Sequence, residues 1–188
     1  PGAAKSLTHI KTLTASSSST LSFVNGSSDV VLDSTYPIYL FKFINCHPSG
    51  NNVDFTVGFR DGSTDYDATK TSTYFEAIHN EADDDAELGY RTNEDLAQST
   101  SFQILIPEIG DANDSSTSGE MYLFNPSSTT FVKHFVSKAE GSYRESRATN
   151  AYVAGYCNVT AAIDAVQFKF ASGNIDAGTI KLYGIKDS

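Results

Sequence analysis

Tryptophan is absent from this chain, methionine occurs once and cysteine only twice. Each scarcity narrows what the protein can be. Two cysteines, Cys46 and Cys157, cannot build the disulfide scaffold of a small secreted domain. Both sit in apolar, strand-like runs, F-K-F-I-N-C and A-Y-V-A-G-Y-C-N-V. A free cysteine in such a run behaves as a small buried hydrophobe, and a disulfide between the two requires that their strands be neighbours. Without tryptophan, the largest aromatic platform for a sugar ring is missing. No run of about 18 apolar residues occurs, so no segment reads as a transmembrane helix. The N-terminus lacks the apolar core of a signal peptide. A chain that starts at Pro1 reads as one whose initiator Met has been removed, which sets an expectation of synthesis in a cytoplasm.

Positive charge is scarce as well. Thirteen Lys and Arg stand against 23 Asp and Glu, for a formal net charge of −10. A surface of that sign repels phosphate backbones and argues against nucleic-acid binding. Charged residues make up 19% of the chain and hydrophobic ones 39%, which places it among globular rather than disordered sequences. Its 188 residues suffice for one domain with a real core.

What is present in quantity is period-two alternation. Val53, Phe55, Val57 and Phe59 alternate with Asp54, Thr56 and Gly58. Val166, Phe168 and Phe170 alternate with Gln167 and Lys169, and Ile180 and Leu182 with Thr179, Lys181 and Tyr183. Successive strand side chains point to opposite faces, so each run has one face to bury. The turn-rich A-S-G-N-I-D-A-G between the last two runs reads as a reversal, and Ala165–Ile185 as a C-terminal hairpin. Further strands are expected over 7–13, 21–24, 30–32, 36–45, 71–78, 88–92, 102–106, 121–124, 130–137 and 151–159. Pro107 is expected to end the strand before it. Asn93–Gln98 has the pattern of a helical turn with Asn93 as its cap. About eleven short strands at roughly ten-residue spacing predict an all-β fold. The expected architecture is a single antiparallel β-sandwich of jelly-roll type over 7–188, preceded by a short lead-in at 1–6. Three long polar loops, Asn80–Glu87, Glu108–Gly119 and Lys138–Asn150, are expected as contact surfaces.

Candidate sites are weak by pattern. Asp61, Asp65 and Asp67 lie in D-G-S-T-D-Y-D, but the ligand order of a calcium loop is missing. Glu81, Asp83, Asp84, Asp85 and Glu87 form a second acidic run, which an exposed loop simply hydrates. His9, His47, His79 and His134 lack zinc spacing. No nucleophile elbow, P-loop or dinucleotide fingerprint occurs, and paired carboxylates of a glycosidase are a matter of space rather than sequence. Tyr39, Tyr66, Tyr74, Tyr90, Tyr143, Tyr152 and Tyr156 are candidates for sugar stacking, most of them expected at strand edges or in the core. Asn25, Asn113 and Asn158 head N-x-S/T patterns of the kind that chance supplies in such a composition. The sequence therefore assigns no catalytic, cofactor-binding or metal residue and reads as non-enzymatic.

Three blocks carry a resemblance: F-R-D-G-S-T-D-Y-D-A-T-K-T (59–71), G-E-M-Y-L-F-N-P-S-S-T-T-F-V-K-H-F (119–135) and A-A-I-D-A-V-Q-F-K-F-A-S-G-N-I-D-A-G-T-I-K-L-Y-G-I-K (161–186). Together they resemble a group of structural proteins of marine tailed bacteriophages, including phages of cyanobacteria and of abundant ocean heterotrophs. The resemblance runs from Leu7 to Lys186. It implies a virion component, a capsid decoration protein or a tail or fibre subunit, located on the virion and partnered by other virion proteins and by itself. A homo-oligomer is expected, most naturally a trimer. The alternative is a carbohydrate- or receptor-binding β-sandwich, with a host surface glycan as partner. No cofactor, nucleic acid or membrane is implied.

Overall fold

A computed structural model describes residues 7–143 and 146–186. The expected lead-in and part of the expected 138–150 loop therefore lie outside the described residues. Twelve strands follow in chain order: β1 (Leu7–Thr14), β2 (Leu21–Val24), β3 (Ile38–Pro48), β4 (Val53–Arg60), β5 (Lys70–Asn80), β6 (Ala86–Tyr90), β7 (Gln103–Ile109), β8 (Thr117–Phe124), β9 (Lys133–Tyr143), β10 (Arg147–Cys157), β11 (Ala165–Phe170) and β12 (Ile175–Ile185). They build an antiparallel sandwich. One sheet runs β1-β12-β3-β8-β9-β10-β5-β6 and the other β7-β4-β11-β2, joined by the pairing of Ile109 with Tyr143. Leaving out β5, β6, β9 and β10, the strand orders are β1-β12-β3-β8 and β2-β11-β4-β7, the order of a jelly roll. The four omitted strands come from two insertions, β5–β6 and β9–β10. Together they lengthen one sheet and leave the other at four strands.

The core follows from the alternation. Phe168 lies at its centre, with ring centroids 5.5 Å from Phe41, 6.0 Å from Phe55, and 6.4 Å from both Phe23 and Phe43. Phe41 and Phe43 come from one sheet, and Phe23, Phe55 and Phe168 from the other. All five are buried, so the two sheets are joined by interlocked rings.

Several sequence expectations need correction. The C-terminal segment is not a hairpin: β11 pairs with β2 and β4, whereas β12 pairs with β1 and β3 in the opposite sheet. The linker crosses the end of the sandwich. The Ala171 N–H donates to Asp54 O on one side, and Ser18 and Ile175 exchange backbone bonds on the other. Gly173, at φ 71°, supplies the left-handed residue of this crossing. Val30 and Leu32 are buried without forming a strand. Asn25 closes that loop instead, its Oδ1 accepting the Leu32 N–H at 2.9 Å. Over 93–98 no helix forms; a turn covers 92–94 and the rest of the segment is irregular. This segment lies against β5, where the Ser72 N–H donates to Leu96 O and the Leu96 N–H to Ser72 Oγ, both at 2.9 Å. Strand β7 continues through Pro107 to Ile109, with register shifts against β4 and Glu108 at φ 52° absorbing the irregularity. Most of the expected 138–150 loop is strand, the end of β9 and the start of β10.

Candidate functional site

The inserted strands have two unlike faces. Outward, Tyr90, Phe75, Tyr152, Lys138 and Glu120 are register partners in one row across β6, β5, β10, β9 and β8. Tyr90 is 52% exposed, Phe75 43% and Tyr152 37%; Leu88 and Val136 flank the row at 74% and 44%. The rings of Phe75 and Tyr152 are parallel within 6° at 5.0 Å, and the Lys138 ammonium lies 5.7 Å from the Tyr152 centroid on the neighbouring strand. These apolar side chains take the outer phase because the inner phase of β5 holds Lys70, Ser72, Tyr74 and Glu76. A strand has only two faces, and here the polar set is the one turned inward.

That inner face is organised around two buried lysines. Cys157 on β10 is the register partner of Lys70 on β5 and of Lys133 on β9, and all three are 0% exposed. Lys70 Nζ donates to Ala68 O at 2.6 Å. Lys133 Nζ donates to Val159 O at 2.7 Å and to Ser128 O at 3.2 Å. Burial pulls both ammonium groups below the usual lysine range and pushes the Cys157 thiol up to about 12. The thiol is therefore neutral at pH 7 and is a poor nucleophile. Cys46 lies in the other part of the sheet on β3, and both cysteines are free. The lysines act as ammonium ties on loop carbonyls. Pattern reading missed them, although Lys133 shares the phase of Phe135, Ser137 and Ala139, and that phase is legible in the sequence.

At one end of the sandwich a cleft of about 860 Å³ opens. It is lined by Asn51 after β3, by His79 and Asn80 at the end of β5 and Asp83 beyond it, and by Asp111 and Asp114 between β7 and β8. The three polar segments expected to form contact surfaces all contribute to it. Its chemistry is that of a polar, acidic groove with amide and carboxylate groups on loops held by a rigid scaffold.

The acidic runs are placed separately. In 81–87 four of the five acidic side chains have a partner. Asp83 accepts from His79 at 3.0 Å, Asp84 from Asn80 Nδ2 at 2.6 Å and Glu87 from Arg91 at 3.0 Å, and Asp85 lies 3.2 Å from Arg147. In 61–67 the Ser63 hydroxyl donates within the turn to Asp65 O at 3.0 Å. Among the described residues, no three His, Cys, Asp or Glu side chains come together in an arrangement that could hold a metal ion. The histidines are dispersed: His9 contacts Thr12, His47 contacts Ser115 O, and His134 lies beside Tyr156. Of the seven candidate tyrosines, Tyr39 and Tyr74 are wholly buried and cannot stack on a ligand. Tyr90 and Tyr152 are exposed, Tyr66 and Tyr156 are half-buried, and the Tyr143 side chain lies outside the described set. One face of Tyr152 is taken by Phe75 and the ring also lies near Lys138, which leaves little of it for a sugar. Asn158 follows β10 rather than lying in it, and its amide donates to Gln98 Oε1 at 2.8 Å.

Comparisons with protein-family models, with curated proteins and with solved structures give no match for this chain. The functional reading therefore rests on the geometry above and on the sequence resemblance.

Proposed function

We propose that the protein is a structural component of a tailed-phage virion, a capsid decoration protein or a tail or fibre subunit, that acts through protein–protein contacts and assembles with copies of itself. The observation that supports this most is the outward apolar row of the inserted strands, with Tyr90, Phe75, Tyr152, Leu88 and Val136 all at least one-third exposed. Contiguous apolar surface of this kind on a globular domain marks a contact site. The row ends in Lys138, Glu120 and Lys42, whose alternating charge gives a polar rim to an aromatic centre. The resemblance of residues 59–71, 119–135 and 161–186 to marine phage structural proteins supports the virion setting. No catalytic role is proposed. Gold-labelled antibody on purified particles tests the reading. Label on the head or on the tail supports it and divides its two forms. Absence of label from both intact and disrupted particles, with the chain present in infected cells, overturns it.

A second reading, a carbohydrate- or receptor-binding module, is favoured by the polar loop cleft alone. Asn51, Asn80 and Asp111 are of the type that hydrogen-bonds sugar hydroxyls. Saturable binding on a glycan array that is lost in Asp111→Ala would move this reading ahead. An array with no saturable hits removes it.

A further inference from the structure

A second, smaller cavity of about 310 Å³ is walled by residues of β5, β6 and β10, by the segments flanking β6, and by Pro107 and Glu108 of β7 in the shorter sheet. Its walls hold five carboxylates, Glu76, Asp85, Glu87, Glu94 and Glu108, against two arginines, Arg91 and Arg147. Arg91 spans Glu76 at 2.8 Å and Glu87 at 3.0 Å, and Arg147 lies 3.2 Å from Asp85. That leaves Glu94 and Glu108 without an ion-pair partner among the described residues. Burial, then the nearby Glu76 carboxylate, raises the Glu94 pKa above its ordinary value. A site with spare negative charge and poor hydration has use for a cation.

Thr149 is the second, independent observation. It sits on the inward phase of β10, between Ile78 of β5 and Gly141 of β9, is 1% exposed, and lines this cavity. Its hydroxyl has no hydrogen-bond partner. Buried hydroxyls are normally satisfied, and one that is not calls for an explanation. Valine has the same shape and would fill this position with no polar group to satisfy. A buried hydroxyl without a partner, on a residue in the wall of an acidic cavity, can accept from a ligand that arrives with N–H donors.

We infer that this cavity binds an ammonium or guanidinium group, with Glu94, Glu108 and the Thr149 hydroxyl as acceptors. An ammonium brings three donors and a guanidinium five, which matches acceptors spread over β10, β7 and the segment after β6. The carboxylates do not converge as ligands of a bare metal ion would require. The volume is roughly that of ten waters, enough for the charged group and a short alkyl stem. The group can come from a free polyamine or from a lysine or arginine side chain of another protein. The inference stands independently of the virion reading.

The test is calorimetric titration of the full chain with putrescine, spermidine, and lysine and arginine blocked at both ends, at matched ionic strength, with tetramethylammonium as a cation without N–H donors. The expected result is saturable binding of the N–H donors with one site per chain, little or no binding of tetramethylammonium, and affinity that falls with added salt. Tighter binding of the polyamines points to a free ligand, and equal or tighter binding of the blocked amino acids to a protein side chain. Glu94→Gln should weaken binding about tenfold or more. Thr149→Val should weaken it several-fold while raising the melting temperature. Asp65→Asn, the same charge change on a remote turn, should leave it unchanged. The inference is overturned by absent saturable binding at millimolar concentration or by equal binding of tetramethylammonium. Unchanged affinity in both Glu94→Gln and Thr149→Val overturns it too. Both substitutions are near-isosteric, and circular dichroism reports whether each variant is folded.

Discussion

The four inserted strands extend one of the two sheets of the jelly-roll body, and the two regions bury different mixtures of side chains. In the jelly-roll body the inward residues are Phe23, Phe41, Phe43, Phe55 and Phe168, and the strands hold together by ring packing. In the insertion the inward residues mix apolar Tyr74, Phe135, Ala139, Ala151 and Val153 with polar Lys70, Lys133, Ser72, Glu76 and Thr149, and the exposed ones include Phe75, Tyr152, Leu88 and Tyr90. The body is stabilised by apolar burial at roughly 25 cal/mol per Å². The insertion adds ammonium-to-carbonyl bonds, the Arg91–Glu76 pair and long strand ladders to a smaller apolar share, in which the Phe135 ring lies 5.1 Å from Phe59. A sheet that also carries apolar side chains on its outward face has a use for them beyond its own stability, and contact with another subunit supplies one.

The comparison is broken most directly at two phenylalanines. Phe168→Ala should destabilise by about 3–5 kcal/mol, because it empties the centre of the ring cluster. Phe75→Ala, measured on the isolated subunit, should cost less than about 1 kcal/mol, the usual scale of a half-exposed aromatic cross-strand pair. Urea denaturation of both variants checks this, and equal losses would erase the distinction between the two regions.

Alkaline pH gives the next effect. Burial pushes the Cys46 and Cys157 thiols from 9.0 up to about 12, and Tyr39 from 10.0 up to about 12. A group whose pKa is raised in the folded state binds more protons folded than unfolded within that window. Its contribution is whole below the unfolded pKa and is lost as pH rises toward the folded one. Stability should therefore fall from about pH 9 towards pH 12, by a few kcal/mol in order of magnitude. Lys70 and Lys133 have the opposite sign: their pKa values are lowered, so in the window below 10.5 the unfolded chain binds more protons and stability rises with pH. They offset part of this loss. Both thiols are raised by the same amount and the lysines remain in either variant, so Cys46→Ala and Cys157→Ala should each flatten the alkaline decline to a similar degree, as read from denaturation midpoints across the range.

A smaller effect is expected at Gly155, on the inner face of β10. A Cβ there would lie 2.6 Å from Thr71 O and 2.8 Å from Phe135 Cζ. The near atom is backbone, so Gly155→Ala should cost about 1–3 kcal/mol. It should loosen β5 against β10, seen as faster amide exchange in the inserted strands with the body protected.

How much of this could be read in advance divides along the same line. The body was legible because its alternation is stark: Val53 to Phe59 and Val166 to Phe170 place a hydrophobe at every second position. Strand positions and the sandwich follow from that. The partner of each strand does not, because A-S-G-N-I-D-A-G specifies a reversal but not the sheet in which the chain resumes. Hence the last two strands read as a hairpin although they lie in different sheets. The insertion was harder. Residues 138–150 read as a loop because their inward positions are Ala139, Gly141 and Thr149, small or polar groups that give no amphipathic signal. The convergence of the three polar segments on one cleft was foreseen only as a shared role. The lysines flanking Cys157 and the unpaired Thr149 hydroxyl are facts of register, and register is long-range.

The central claim is that the outer face of the inserted strands is a contact surface between copies of this chain. Sedimentation velocity of the wild type over a range of concentrations, beside Phe75→Glu/Tyr152→Glu, tests it most directly. A wild type that sediments as a defined oligomer, with a folded double variant that sediments as a monomer, is the predicted result. A wild type that stays monomeric at every concentration, or a double variant that keeps the wild-type oligomer, would contradict it.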